Sequence, residues 1–187
     1  SFRTDIMHEV DIIEDIAIAY GYDKIEPVIP KVATIAQESK TSKIQSKISS
    51  ILSGLGLLET STLHLIKIDE AKEIIEDERI ELLDSKTEYK LLRPDLIIPN
   101  LRIISQNKDN EYPQKIFEIG TVFKKDRDNL TQTGIIEKEN LLILSTPSNF
   151  TDIKQILEYL MKMLGLSFKL EPVIKKSFIE GRTAKII

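Results

Sequence analysis

Apolar positions recur along the chain with two different periods, and the switches between them mark the predicted elements. Over residues 7–20, Val10, Ile13, Ala17 and Tyr20 fall three and four apart while Asp11, Glu14 and Asp15 share another face, which predicts a helix ended by Gly21. A second helix is predicted over 39–53, with Ile44, Ile48, Ile51 and Leu52 as its buried stripe and Gly54 or Gly56 as its left-handed cap. The pattern then changes to alternation and β-branched residues over 58–65, which predicts a strand. A short helix over 69–76, capped by Asp69, and a short strand over 79–83 follow. Pro94 favours the first position of a helix reaching Ser105. Strands over 115–124 and 140–146 flank a turn-forming stretch that holds Asp126, Asp128, Asn129 and Gly134. The clearest helical stripe is Ile153, Ile156, Leu157, Leu160 and Leu164, with Thr151 as cap and Gly165 as stop. Strands over 167–173 and 184–187 complete the pattern, the last reading as cut short.

This order of elements predicts an α+β fold, a mostly antiparallel sheet flanked by helices, more readily than a doubly wound parallel sheet. Pro27, Pro30 and the polar run 37–40 read as a linker, so the expected division is a small upstream element over 1–30 and a main domain over 31–187.

Composition narrows the chemistry. A hydrophobic share of 41% and a charged share of 30% in 187 residues are those of a folded globular chain. The net charge of -4 gives no field that would hold a polyanion unaided. Cysteine is absent and only His8 and His64 are present, which excludes thiolate chemistry, disulfides and the usual zinc sites. No apolar run is long enough to cross a bilayer, and the first residues do not resemble a signal peptide, so a cytoplasmic location is expected.

Gly54-Leu55-Gly56 follows a helix rather than a strand and lacks a third glycine, so it reads as a cap and not a phosphate loop. Ser53 and Ser148 lack the setting of a nucleophile. Asp5, Asp11, Glu14 and Asp15 gather like charges near one helical face, and Mg²⁺, which takes a few carboxylate oxygens and keeps its waters, would relieve their repulsion. The competing reading is a solvated acidic face with Asp5 as N-cap. Arg93, Arg102, Lys115, Lys124 and Lys125 could meet phosphate or carboxylate groups, or be solvated surface charges. Phe117 and Phe123 read as core and edge residues of a strand.

The stretch Arg3-Thr4-Asp5-Ile6-Met7-His8-Glu9-Val10-Asp11-Ile12-Ile13-Glu14-Asp15-Ile16-Ala17, running into Ala19-Tyr20-Gly21-Tyr22-Asp23, closely resembles the end of the B5 domain in the beta subunit of phenylalanyl-tRNA synthetase. Leu92-Arg93-Pro94-Asp95-Leu96-Ile97-Ile98-Pro99, Lys115-Ile116-Phe117-Glu118-Ile119-Gly120-Thr121-Val122-Phe123 and Phe178-Ile179-Glu180-Gly181-Arg182-Thr183-Ala184 are similar, in the family's order, to the catalytic-core-like region that follows. Met7-His8-Glu9-Val10 looks like the archaeal and eukaryotic branch. The resemblance implies a degenerate class II synthetase fold, truncated at its C-terminus, and a non-catalytic scaffold and interface role beside an alpha subunit in an α2β2 heterotetramer. ATP and phenylalanine chemistry would belong to that alpha subunit, and tRNA would be served through the complex. It also implies Mg²⁺ bound through Asp5, Asp11, Glu14 and Asp15 and shared with the alpha subunit, with Asp15 one methylene shorter than the Glu of many relatives. Phe117-Glu118-Ile119-Gly120 stands in the place of a class II second motif without its arginine, and no Gly-rich third motif ending in Glu-Arg is present. The chain is therefore expected to be inactive alone. A self-sufficient ATP-dependent ligase and a tRNA-contacting module are the alternatives.

Overall fold

A computed structural model describes residues 4–32, 36–71, 79–128, 130–175 and 178–187. The chain divides into two units, Ser1–Gln37 and Glu38–Ile187.

The first unit is built on helix α1 (Glu9–Tyr20) and a 3-10 turn, Tyr22–Lys24. The helix begins two residues later than predicted, and its N-cap is His8 rather than Asp5. The reason is Asp11: one carboxylate oxygen accepts the backbone N–H groups of both Met7 and His8 at 2.8 Å, while His8 Nδ1 accepts from the Val10 N–H at 3.2 Å. That reciprocal arrangement satisfies donors a helix start leaves open, and it fixes the start at Glu9. No residue of α1 is buried, although Val10, Ile12, Ile13, Ile16, Ile18 and Tyr20 are apolar or aromatic. Of the predicted stripe, Val10, Ile13 and Tyr20 are exposed and Ala17 is half-buried within this chain.

The second unit opens with α2 (Lys40–Gly54), capped by Ser39. The single strand expected over 58–65 is instead two short ones, β1 (Leu58–Glu59) and β2 (Leu65–Lys67). Between them Thr60 still donates its N–H to the Phe117 carbonyl at 2.8 Å, but the Thr62 N–H turns to the Glu118 carboxylate at 3.1 Å, which ends the ladder. Helix α3 (Ile68–Ala71) follows; the rest of the helix expected over 69–76 lies mostly outside the described residues. The strand expected over 79–83 is reduced to one bridge, Glu81 to Leu91 of β3 (Tyr89–Leu92). Helix α4 is Ile97–Gln106, so Pro99, not Pro94, lies in its first turn, where a missing N–H costs nothing.

β4 (Gln114–Lys125) and β5 (Ile135–Thr146) form an unbroken antiparallel hairpin, paired from Gln114↔Thr146 to Lys125↔Ile135, with β5 starting five residues before its predicted position. Asp126 organises the turn: its carboxylate accepts from the Asp128 N–H at 3.1 Å and from the Thr131 hydroxyl at 3.0 Å. α5 (Phe150–Leu164) is capped by Asn149, whose side-chain oxygen accepts from the Asp152 N–H at 3.0 Å, and not by Thr151. Gly165 ends α5 at φ 72°, the left-handed conformation that favours glycine. β6 (Leu170–Pro172) and β7 (Ala184–Ile186) pair antiparallel.

The described strands form three sheets: β1-β4-β5, β2-β3 and β6-β7. Among the described residues only the β1–β4 contact is parallel, so the fold is α+β with mostly antiparallel pairing, flanked by helices. One core joins Leu52 and Leu57 to Phe117 of β4 and Leu160 of α5. A second joins Ile66, Ala71, Leu91 and Ile98. Because strand side chains alternate, Phe117 and Ile119 face the helices α2 and α5, and Glu118 and Gly120 face the other way.

Candidate functional site

The four acidic residues of the first unit do not form a metal centre within this chain. Among the described residues, no three His, Cys, Asp or Glu side chains come together in a set that could hold a metal ion. Asp11 is already used in its helix start, and the backbone N–H groups of His8 and then Met7 hold its carboxyl below the usual range. Asp5 and Asp15 each have a polar or charged partner as well. The donors are hard oxygens suited to Mg²⁺, but within this chain they do not make a cage.

The most highly organised polar group is one that sequence reasoning did not find. Arg93, just after β3, and Glu118, in the middle of β4, form an ion pair of 2.7 Å with each side chain only 2% exposed. Arg93 Nε donates to the Thr121 carbonyl at 2.8 Å, and Nη1 donates to the Thr62 hydroxyl at 2.6 Å and lies 3.2 Å from the Thr62 carbonyl. Glu118 accepts from the Thr62 N–H at 3.1 Å on one oxygen and from Asn100 Nδ2 on the other. Asn100, fully buried in α4, also donates to the Leu96 carbonyl at 2.9 Å and accepts from the Thr60 hydroxyl at 2.8 Å. Burial pushes the Glu118 carboxyl up, but hydrogen bonds from Asn100, Thr62 and Arg93 outweigh it and leave the group below its ordinary value. Among the described residues, no buried side-chain nitrogen or oxygen lacks a partner here.

Gly120 completes the arrangement by close approach: a Cβ there would stand 2.5 Å from Arg93 Nη2. Two stretches that looked like separate signatures, Leu92-Arg93-Pro94 and Phe117-Glu118-Ile119-Gly120, are therefore two halves of one contact. A signal was present in the sequence, since Glu118 is the lone charge in the apolar run Ile116-Phe117-Glu118-Ile119.

The other basic candidates divide. Arg102 Nε donates to Glu70 at 2.7 Å and its guanidinium lies 5.2 Å from the Tyr89 ring. Lys115 lines an open cleft of about 360 Å³ with Leu55, Ser145, Asp152, Gln155 and Tyr159. Lys124 and Lys125 are exposed at the end of β4. Among the described residues these four do not share one site: Arg102 pairs with Glu70, Lys115 lines the cleft, and Lys124 and Lys125 lie at the strand end.

Residues 25–187 match the family described as phenylalanyl tRNA synthetase beta chain CLM domain. The chain belongs to that family. Residues 1–22 match the tRNA synthetase B5 domain, so the CLM domain here is preceded by the B5 sequence. Similar proteins include the phenylalanine–tRNA ligase beta subunits of Thermococcus gammatolerans (34% identical), Pyrococcus horikoshii (36%) and Methanococcus aeolicus (35%), each matched over 100% of this chain. The sequence is thus of the archaeal and eukaryotic type, and it spans about a third of the length of these relatives, 34–35%. In fold the chain resembles a pyrrolysyl-tRNA synthetase from Desulfitobacterium hafniense, at 20% identity and TM-score 0.60 over 98% of this chain and 70% of that one. It also resembles an ATP phosphoribosyltransferase regulatory subunit/histidyl-tRNA synthetase from Bacillus halodurans, at 19% identity and TM-score 0.55 over 78% of this chain and 41% of that one. The CLM domain therefore has a class II synthetase-like fold. No helix among the described residues is long and apolar enough to cross a membrane.

Proposed function

We propose that this chain is a non-catalytic structural and interface module of a cytoplasmic phenylalanine–tRNA ligase, packing against the alpha subunit within an α2β2 assembly. In that assembly the alpha subunit attaches phenylalanine to tRNA with ATP, and this chain meets tRNA only through the complex. The observation that carries the reading is the state of Arg93: its guanidinium is neutralised by Glu118 and buried against β4, where it can bind no phosphate. Arg102 is likewise engaged by Glu70. Adenylate formation needs cations held ready for developing charge, and neither of these two arginines is available for that work. The exposed apolar stripe of α1 supports an interface role. ATP–pyrophosphate exchange tests the assignment: none is expected from this chain alone, and exchange by the isolated chain would overturn it.

The acidic set belongs to this proposal as a shared Mg²⁺ site, Asp5, Asp11, Glu14 and Asp15 being completed by oxygens of the alpha subunit. Because Asp11 also caps α1, its substitution would disturb the helix as well as the ion. Glu14→Gln with Asp15→Asn is the cleaner probe: Mg²⁺ affinity of the complex, measured by titration calorimetry, is expected to fall, and unchanged affinity would leave these residues as a solvated face.

A further inference from the structure

The side of β4 that carries Glu118 and Gly120 is shaped around one flat cation. Three acceptors from two parts of the chain approach it: the Thr121 carbonyl of β4 at Nε, and the Thr62 hydroxyl and a Glu118 oxygen of β4 at Nη1. Its remaining nitrogen, Nη2, lies over Gly120, where any other residue would place a carbon 2.5 Å away. Asn100 and Thr62 hold the carboxylate in position independently of the arginine, so the anionic wall has its own support.

We propose that this concavity is a guanidinium-binding site whose resident ligand is the chain's own Arg93, and that this internal occupant closes the Glu118 face of β4 to small molecules. The selectivity follows from shape. A guanidinium is planar and presents donors along fixed directions, so one group reaches the Thr121 carbonyl and Glu118 together while its remaining nitrogen passes close to a glycine. An ammonium is a compact, strongly hydrated charge that cannot span those acceptors from one position. The idea goes beyond the interface role, since it concerns what fills this face of the sheet rather than what packs on the outside.

Chemical rescue of the full chain tests it, with methylguanidinium chloride as probe and methylammonium chloride as control. Arg93→Ala vacates the site while leaving Glu118, Thr62, Asn100 and Gly120 in place. Saturable methylguanidinium binding is expected, raising the thermal midpoint of Arg93→Ala by about 3–6 °C at about ten times the dissociation constant. Wild type, already occupied, and Arg93→Ala/Glu118→Gln, lacking the anionic wall, should show no such rise. If Arg93→Ala is unfolded without additive, methylguanidinium should restore its far-ultraviolet helical signal where methylammonium does not. The proposal is overturned by no response of Arg93→Ala, by an equal response of the double variant, or by an equal response to methylammonium.

Discussion

Glu118→Gln removes one charge and almost no volume, and the structure makes its cost calculable. Both oxygens of the carboxylate face an obligate donor: Arg93 Nη1 and the Thr62 N–H on one, Asn100 Nδ2 on the other, with the Thr62 hydroxyl reaching both. A glutamine amide must therefore point its NH₂ at a donor in either orientation. Asn100 cannot easily turn to help, because its own amide bonds the Leu96 carbonyl and the Thr60 hydroxyl. The substitution leaves Arg93 charged and buried without its counterion, a class of change that costs about 3–5 kcal/mol. Against a typical domain stability of about 5–15 kcal/mol that is a large fraction, equivalent to a fall of roughly 6–20 °C in thermal midpoint for a domain of this size. The loss should also depend on pH. Since the folded-state carboxyl lies below its ordinary value of 4.5, its contribution is fully present above that value and disappears as pH falls through the folded-state value. Denaturant unfolding followed by circular dichroism, run between pH 8 and about pH 3, should give a constant gap between wild type and variant above about pH 5 that narrows below 4.5. A cost under about 1 kcal/mol, or a gap that stays constant into acid, would refute the assignment of Glu118 as the charged centre of this network.

Gly120→Ala should destabilise by about 1–3 kcal/mol through the clash of its Cβ with Arg93 Nη2, seen as a lower denaturation midpoint with unchanged slope. Asn149→Ala should lose about 1 kcal/mol as the α5 cap disappears, whereas Thr151→Ala, at the position expected from sequence to cap, should change stability by less than about 0.5 kcal/mol.

Local patterns were the legible part of this chain. The α5 stripe and the β4–β5 hairpin could be read directly because their signals lie within one element. Cap positions were misread at both His8 and Asn149, since several polar residues in a row can each offer an oxygen or nitrogen and only the turn geometry selects one. The buried ion pair was missed for a different reason: Thr60, Thr62, Arg93, Asn100, Glu118 and Gly120 come from four separate stretches, and although Glu118 stands out as a lone charge in an apolar run, nothing local to it names its partners. The same distance in sequence broke the strand predicted over 58–65, because the Glu118 carboxylate that takes the Thr62 N–H out of the ladder lies in β4. Asp11, Glu14 and Asp15 do lie on α1, with Asp5 before its start, as the periodicity predicts.

The parallel pairing of β1 with β4 bears on the order in which the second unit assembles. The β4–β5 hairpin joins neighbouring segments across a short turn, so it can zip early, whereas Leu58 must find Ile116 across an intervening stretch that includes α3, β3 and α4. Thr62, which follows β1, bonds both Arg93 and Glu118, so the complete network around the ion pair is expected to form only after that distant closure. Weakening it should then chiefly hasten unfolding and leave the refolding rate nearly unchanged, so the pair acts as a latch on the finished unit rather than as a seed for it.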